Sequence, residues 1–173
     1  MIVRVIDAAS KWRVVVVAGA EIATVLRDAP VGVIRNSEPE RGMAHSLRLA
    51  NDAIEPDEAI AVLLGDLPDI DSATIARTID AYDANVDVVV PRAGERYGHP
   101  VVFGPVARRR IGALPDGDSL RSLRDDPDLR RTFVELMTNA ALADIDTPAD
   151  YEARSARLGA VAGPGPHDTS ERT

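Results

Sequence analysis

Short runs rich in β-branched residues alternate with stretches of helical periodicity along most of this chain, and that alternation restricts the fold more tightly than any other feature. RVVVVAG (Arg13–Gly19), VGVIR (Val31–Arg35) and AIAVLLG (Ala59–Gly65) have the length and apolar content of buried strands. Between them, Glu21–Ala29 reads as a short helix stopped by Pro30. Gly42–Ile54 reads as a longer one, with Met43, Leu47, Ala50 and Ile54 on one face. A third helix is expected over Ser72–Ala84, with Ile75, Ile79 and Tyr82 on its apolar stripe and Asp71 or Ser72 as N-cap. VDVVVP (Val86–Pro91), PVVF (Pro100–Phe103), Thr132–Met137 and Ala141–Ile145 are further strand candidates. Basic helices are expected near Val106–Leu114 and Ser119–Asp125, with Arg108–Arg110 as a solvated face, and Pro148 suits the first turn of a last helix. The order βαβαβα predicts an α/β domain on a doubly wound, mostly parallel sheet. Ligands of such sheets bind beyond the carboxyl ends of the strands, so the residues there are the ones to inspect.

Composition narrows the function classes. With 173 residues the chain suits one domain, expected over 1–158, and the glycine- and proline-rich text from Gly159 reads as a disordered tail over 159–173. The formal net charge is −8 and aromatic residues make up only 3%, which argues against a nucleic-acid groove, where clustered cations and stacking platforms are needed. An anionic small-molecule substrate remains compatible, because a bound Mg²⁺ inverts the local field. The longest apolar runs, Val14–Ala20 and Ala59–Gly65, fall short of the ~20 residues of a membrane-spanning helix. There is no cysteine, which excludes disulfides and thiolate sites and is compatible with a cytoplasmic protein.

Two carboxylates stand at strand ends. Asp66 in VLLGDLP is expected directly after the most buried strand, with Gly65 letting the chain turn and Pro68 stopping the strand; a carboxylate there suits a hard cation such as Mg²⁺. Its simpler reading is a turn aspartate bonded to its own backbone. Asp146 in ADIDTPADY could share that ion, although Asp146 or Thr147 before Pro148 also makes a good N-cap. The loop NSEPERGMAHSL (Asn36–Leu47) leads from a strand end into a helix start, where free amides and a glycine favour close approach of a ligand. Gly98–His99–Pro100 has the look of a turn.

Taken in order, Asn36 with Gly42-Met43 and Ser46-Leu47, then LLGDLP, GHPVVF, Gly117-Asp118 and DIDTPADY resemble the nucleotidyltransferases that attach a nucleotide to molybdopterin, most closely the molybdenum cofactor cytidylyltransferases. The resemblance spans Asn36–Tyr151. It implies a Rossmann-like sheet of the nucleotide-diphospho-sugar transferase type, Mg²⁺ dependence, and transfer of CMP from CTP to the phosphate of a molybdopterin-type cofactor. It also implies roles: Asp66 as the principal metal ligand with Gly65 beside it, Asp146 as the second, the Asn36–Met43 loop and Ser46 near the nucleotide, and Gly98, His99 and Pro100 lining the acceptor side. A molybdoenzyme awaiting its cofactor would be the natural partner. A guanylyl- or other NTP transferase, and a non-catalytic binding or assembly module, are the alternatives.

The family pattern opens with a strand, a glycine-rich loop bearing arginine and lysine, and a helix, of which MIVRVIDAA matches only the end of the helix. The expectation is therefore a sheet missing its first strand, between Arg13–Gly19 and Ala59–Gly65. That would leave two facing unpaired edges prone to self-association, unless the gene product starts further upstream, another chain fills the gap, or the two strands close up.

Overall fold

The computed structural model describes residues 1–136. Asp146, the strand expected at Ala141–Ile145, the helix from Pro148, the domain boundary at 158 and the tail lie outside the described residues. The elements run α1 (Ile2–Ala8), β1 (Val15–Ala18), α2 (Ala20–Val25), β2 (Gly32–Arg35), α3 (Met43–Asp52), β3 (Ile60–Val62), α4 (Ser72–Asp80), β4 (Val88–Ala93), β5 (Arg96–Tyr97), β6 (Val101–Phe103), α5 (Pro105–Arg108), α6 (Leu120–Arg124) and β7 (Arg131–Glu135). Single 3₁₀ turns stand at Pro39–Arg41 and Ile111–Ala113. Asp71 is the N-cap of α4, its carboxylate accepting from the Thr74 amide at 2.7 Å.

The strands form two sheets. β1 and β2 pair in parallel, with Val16 opposite Val33. In the second sheet β3, β6, β4 and β5 follow one another antiparallel, and β7 pairs parallel with β4 on its far edge. Because β6 is antiparallel to both β3 and β4, those two run in one direction, and β7 runs with them. The fold is α/β with mostly parallel strands. The doubly wound, Rossmann-like expectation needs one correction: β6 lies reversed between β3 and β4. The reason is chain length. After β4 the chain turns at Gly94 (φ +60°) and returns at once, with far fewer residues than the dozen or more a parallel crossover requires.

α1 bridges the two sheets. Its Ile6 packs with Val16 and Leu26 of the β1–β2 layer, while Val5 packs with Leu67, Ile70 and Ile75. Among the described residues β1 pairs only with β2 and β3 only with β6, so the two strands do not close up. The main core lies on the other sheet, where Val88, Val90, Phe103, Ala107 and Ile111 are completely buried.

Three local expectations change. Ala59–Gly65 is not the most buried strand: β3 covers three residues, Ala61 is exposed, and Leu63 and Leu64 leave the sheet to pack near α1. β6 offers three partners on one side, and among the described residues no strand lies on the other. β4 is the buried strand instead, with Val88, Val89 and Val90 at 0% exposure. The segment RAGERYGH between the strand candidates Val86–Pro91 and Pro100–Phe103, which reads as a loop, is largely a hairpin made by the end of β4 and β5. Finally, Arg108 is buried, not solvated. Its guanidinium donates to the carbonyls of Asn51 and Ile54 at 3.0 Å and to those of Glu55 and Glu58 at 2.5 Å, and to Asn51 Oδ1 at 2.9 Å. It thereby satisfies orphan acceptors at the end of α3 and in the segment after it, a reason for a cation to be buried that a run of three arginines does not disclose.

Candidate functional site

β2 delivers Asn36 to the start of the loop that precedes α3. Its backbone amide donates to Ala18 O at 2.8 Å, continuing the β1–β2 ladder by one step. The side chain is buried and used twice: Nδ2 donates to Ser46 Oγ at 3.1 Å, and Oδ1 accepts from the Glu38 amide at 2.8 Å. Asn36 and Ser46 therefore brace the loop against α3. Gly42 closes the loop at φ +84°, a left-handed conformation that favours glycine, and serves as N-cap without a side-chain hydrogen bond. The first amides of α3 have no partner within the helix, and Met43 beside them is exposed.

A Cβ on Gly42 would stand 3.4 Å from Gly117 Cα, and the Gly117 amide donates to Arg41 O at 3.1 Å. The Gly117–Asp118 turn thus lies directly against the loop. Asp118 accepts from the Ser122 hydroxyl and the Ser119 amide, bonds that hold its carboxyl below the usual range.

β3 ends at Val62, and Asp66 follows after Leu63–Gly65 rather than directly at the strand end. Gly65 does not adopt a left-handed φ, so the turn there needs no conformation reserved for glycine. Leu67 behind Asp66 is completely buried. Asp66 Oδ1 is shielded from solvent and has no hydrogen-bond partner. A buried carboxylate oxygen left so is costly unless a cation or donor meets it. The residue present therefore fits a hard divalent cation whose other ligands come largely from substrate oxygens and water. Among the described residues no group of three or more potential ligand side chains forms, and Asp146 lies outside them.

The Gly98–His99–Pro100 turn leans on the same strand. His99 Nδ1 lies 3.2 Å from Val62 O, the Gly98 amide donates to Pro91 O at 2.8 Å, and the His99–Pro100 peptide is cis. The structure thus gathers Asn36, Gly42, Met43 and Ser46 around the start of α3, and holds His99 on the strand from which Asp66 follows. Reading by sequence missed Arg41, Arg48 and Asp116, which tie the first group to the Gly117 turn. Sequence positions 41 and 116 carry no local signal that they meet.

Comparison with known proteins places this geometry. The model of the MobA-like NTP transferase domain matches residues 1–136. The chain belongs to that family. Among curated relatives, the bifunctional protein GlmU of Thermotoga petrophila is 32% identical over 128 residues, 72% of this chain and 27% of GlmU. The chain thus spans about a quarter of the length of the curated relatives it matches. Among solved structures, a nucleotidyl transferase from Methanothermobacter thermautotroptrophicus (Mth528) superposes with TM-score 0.76 at 22% identity, covering 92% of this chain and 81% of that one. Rv0371c from Mycobacterium tuberculosis H37Rv, in complex with manganese, gives TM-score 0.72 at 22% identity over 88% of this chain and 83% of that one. These likenesses show the nucleotide-diphospho-sugar transferase-like fold. No helix of the described residues is long and apolar enough to cross a membrane.

Proposed function

We propose that this MobA-like domain serves a nucleotidyltransferase that moves CMP from CTP to the terminal phosphate of a molybdopterin-type cofactor, in the cytoplasm. The observation that carries the reading is Asp66, whose buried carboxylate oxygen lacks a partner on the segment that follows β3. A divalent cation there, Mg²⁺ on this reading, would neutralise charge developing on the α-phosphate, with Asp146 as second ligand. The acceptor's phosphate oxygen attacks the α-phosphorus, the bond from that phosphorus to the bridging oxygen breaks, and pyrophosphate leaves with the electron pair.

The chain's own residues supply positioning. Asn36 and Ser46 shape the nucleotide loop, Gly42 offers close backbone approach, and Met43 presents exposed apolar surface at the first turn of α3. Gly65 orients Asp66, while Gly98, His99 and Pro100 form the acceptor side, its histidine held on β3. A molybdoenzyme would receive the product. The edges of β1 and β3, unpaired among the described residues, favour self-association.

The test is pyrophosphate release from CTP, GTP and ATP with Mg²⁺ and a molybdopterin acceptor, alongside nucleotide binding by calorimetry. CTP is expected to lead. GTP clearly ahead would move the assignment to guanylyl transfer, and nucleotide binding without turnover would favour a binding module.

A further inference from the structure

We propose that Asp116 is a positioning residue for nucleotide binding: it locks the Asn36–Gly42 loop and α3 onto the Gly117 turn. The proposal rests on the nucleotidyl-transfer reading above. Each oxygen of the Asp116 carboxylate serves a different arginine. Oδ2 accepts from Arg41 Nε at 2.8 Å, and Oδ1 accepts from Arg48 of α3. Arg48 also donates to Leu114 O at 2.6 Å, so the segment 114–117 grips both the loop and the helix that the loop starts.

The geometry is tight where the loop meets the Gly117 turn. The Gly117 amide bonds Arg41 O at 3.1 Å, and Gly42 and Gly117 approach so closely that a Cβ on Gly42 would be 3.4 Å from Gly117 Cα. Both glycines have left-handed φ, +84° and +80°. Because Gly42 caps α3 without a side chain, the tilt of this loop sets where the free amides of the first turn point. Glu38 reaches Arg41 at 3.1 Å from within the loop, but Asp116 reaches it from outside.

A single exposed ion pair contributes little, since fixing two long side chains costs entropy. Here one carboxylate orders two guanidinium groups and a backbone bond runs beside it. The hydrogen bonds from Arg41 and Arg48 hold the Asp116 carboxyl below its usual range, so it stays ionised at neutral pH.

The experiment compares wild type, Asp116→Asn, Asp116→Glu and Asp126→Asn for CTP binding with Mg²⁺ by calorimetry, and for melting temperature. Asp126 pairs with Arg110, away from the loop, and controls for the loss of any such ion pair. Asp116→Asn is expected to weaken CTP binding roughly tenfold, equivalent to about 1.4 kcal/mol. Asp116→Glu should recover part of that affinity, and Asp126→Asn should bind as wild type does. If Asp116→Asn binds CTP as tightly as wild type, or Asp126→Asn weakens it equally, the assignment to Asp116 is overturned while the nucleotidyl-transfer reading stands. A wild-type chain that binds no nucleoside triphosphate overturns that reading, and this assignment with it.

Discussion

Ile2 occupies the space that a side chain at position 65 would need: a Cβ on Gly65 would lie 2.7 Å from Ile2 Cδ1. The glycine before Asp66 is therefore a packing requirement set by α1. Gly65→Ala is expected to be mild, because the obstructing atom is the far end of a flexible side chain. Gly65→Leu should cost about 1–3 kcal/mol, the usual scale of overpacking. Denaturant unfolding checks this, and pairing Gly65→Ala with Ile2→Val should relieve whatever cost the alanine brings.

Asp66→Asn should keep the fold and weaken Mg²⁺-dependent nucleotide binding, because it removes a charge that cation coordination needs and no intramolecular bond that the fold uses. Calorimetry with and without Mg²⁺ reads the difference; equal binding by a folded mutant removes Asp66 from the site. Asp146→Ala should lower binding as well.

Arg108→Lys should destabilise the domain by at least about 2 kcal/mol, on the scale of hydrogen bonds to charged groups. A lysine offers one point charge where the guanidinium forks to four carbonyls and an amide oxygen. Exchange of the amides in α3 should rise with the loss of stability.

Asp87 gives a pH dependence of defined sign. Its buried carboxylate accepts from Arg130 Nε, Nη2 and backbone amide, each at 2.9 Å, and these bonds lower its pKa from the ordinary value. A carboxyl whose folded pKa is depressed contributes stability above its unfolded value, near 4, and loses it as pH falls through the lower folded value. Asp87→Asn should therefore lower the urea midpoint at pH 7 and converge with wild type in acid. A constant gap down to the lowest pH at which both fold would refute the linkage.

The α/β alternation was legible in the sequence because buried strands and amphipathic helices advertise themselves by local periodicity, and the Asp71 cap of α4 by residue type. The direction of β6 was not legible, since PVVF has the same apolar pattern whichever way it runs. The extent of β3 also escaped, because Leu63 and Leu64 are as apolar in a helix-facing segment as in a strand. At the site, the loop from Asn36 follows β2 as its residues suggest, whereas Asp66 stands beyond Leu63–Gly65 rather than directly after β3. Arg108 and the pairing of Asp116 with Arg41 and Arg48 could not be foreseen, because their partners are tens of residues away and charged residues in sequence look solvated by default.

The bridging of two sheets by α1, with no shared ladder among the described residues, divides the domain's stability unequally. The β1–β2 layer has a small core of its own around Ile6, Val16 and Leu26, while the β3–β7 sheet carries the larger one. Local opening of the smaller layer breaks the short β1–β2 ladder and the packing across the seam, but no ladder to a strand of the larger sheet. The two halves should then behave as separate cooperative units in native-state hydrogen exchange, the amides of β1 and β2 opening at lower free energy than those of β4 and β6. Asn36, whose amide is anchored on β1, would open with the weaker unit, and the loop that it starts before α3 would inherit that looseness.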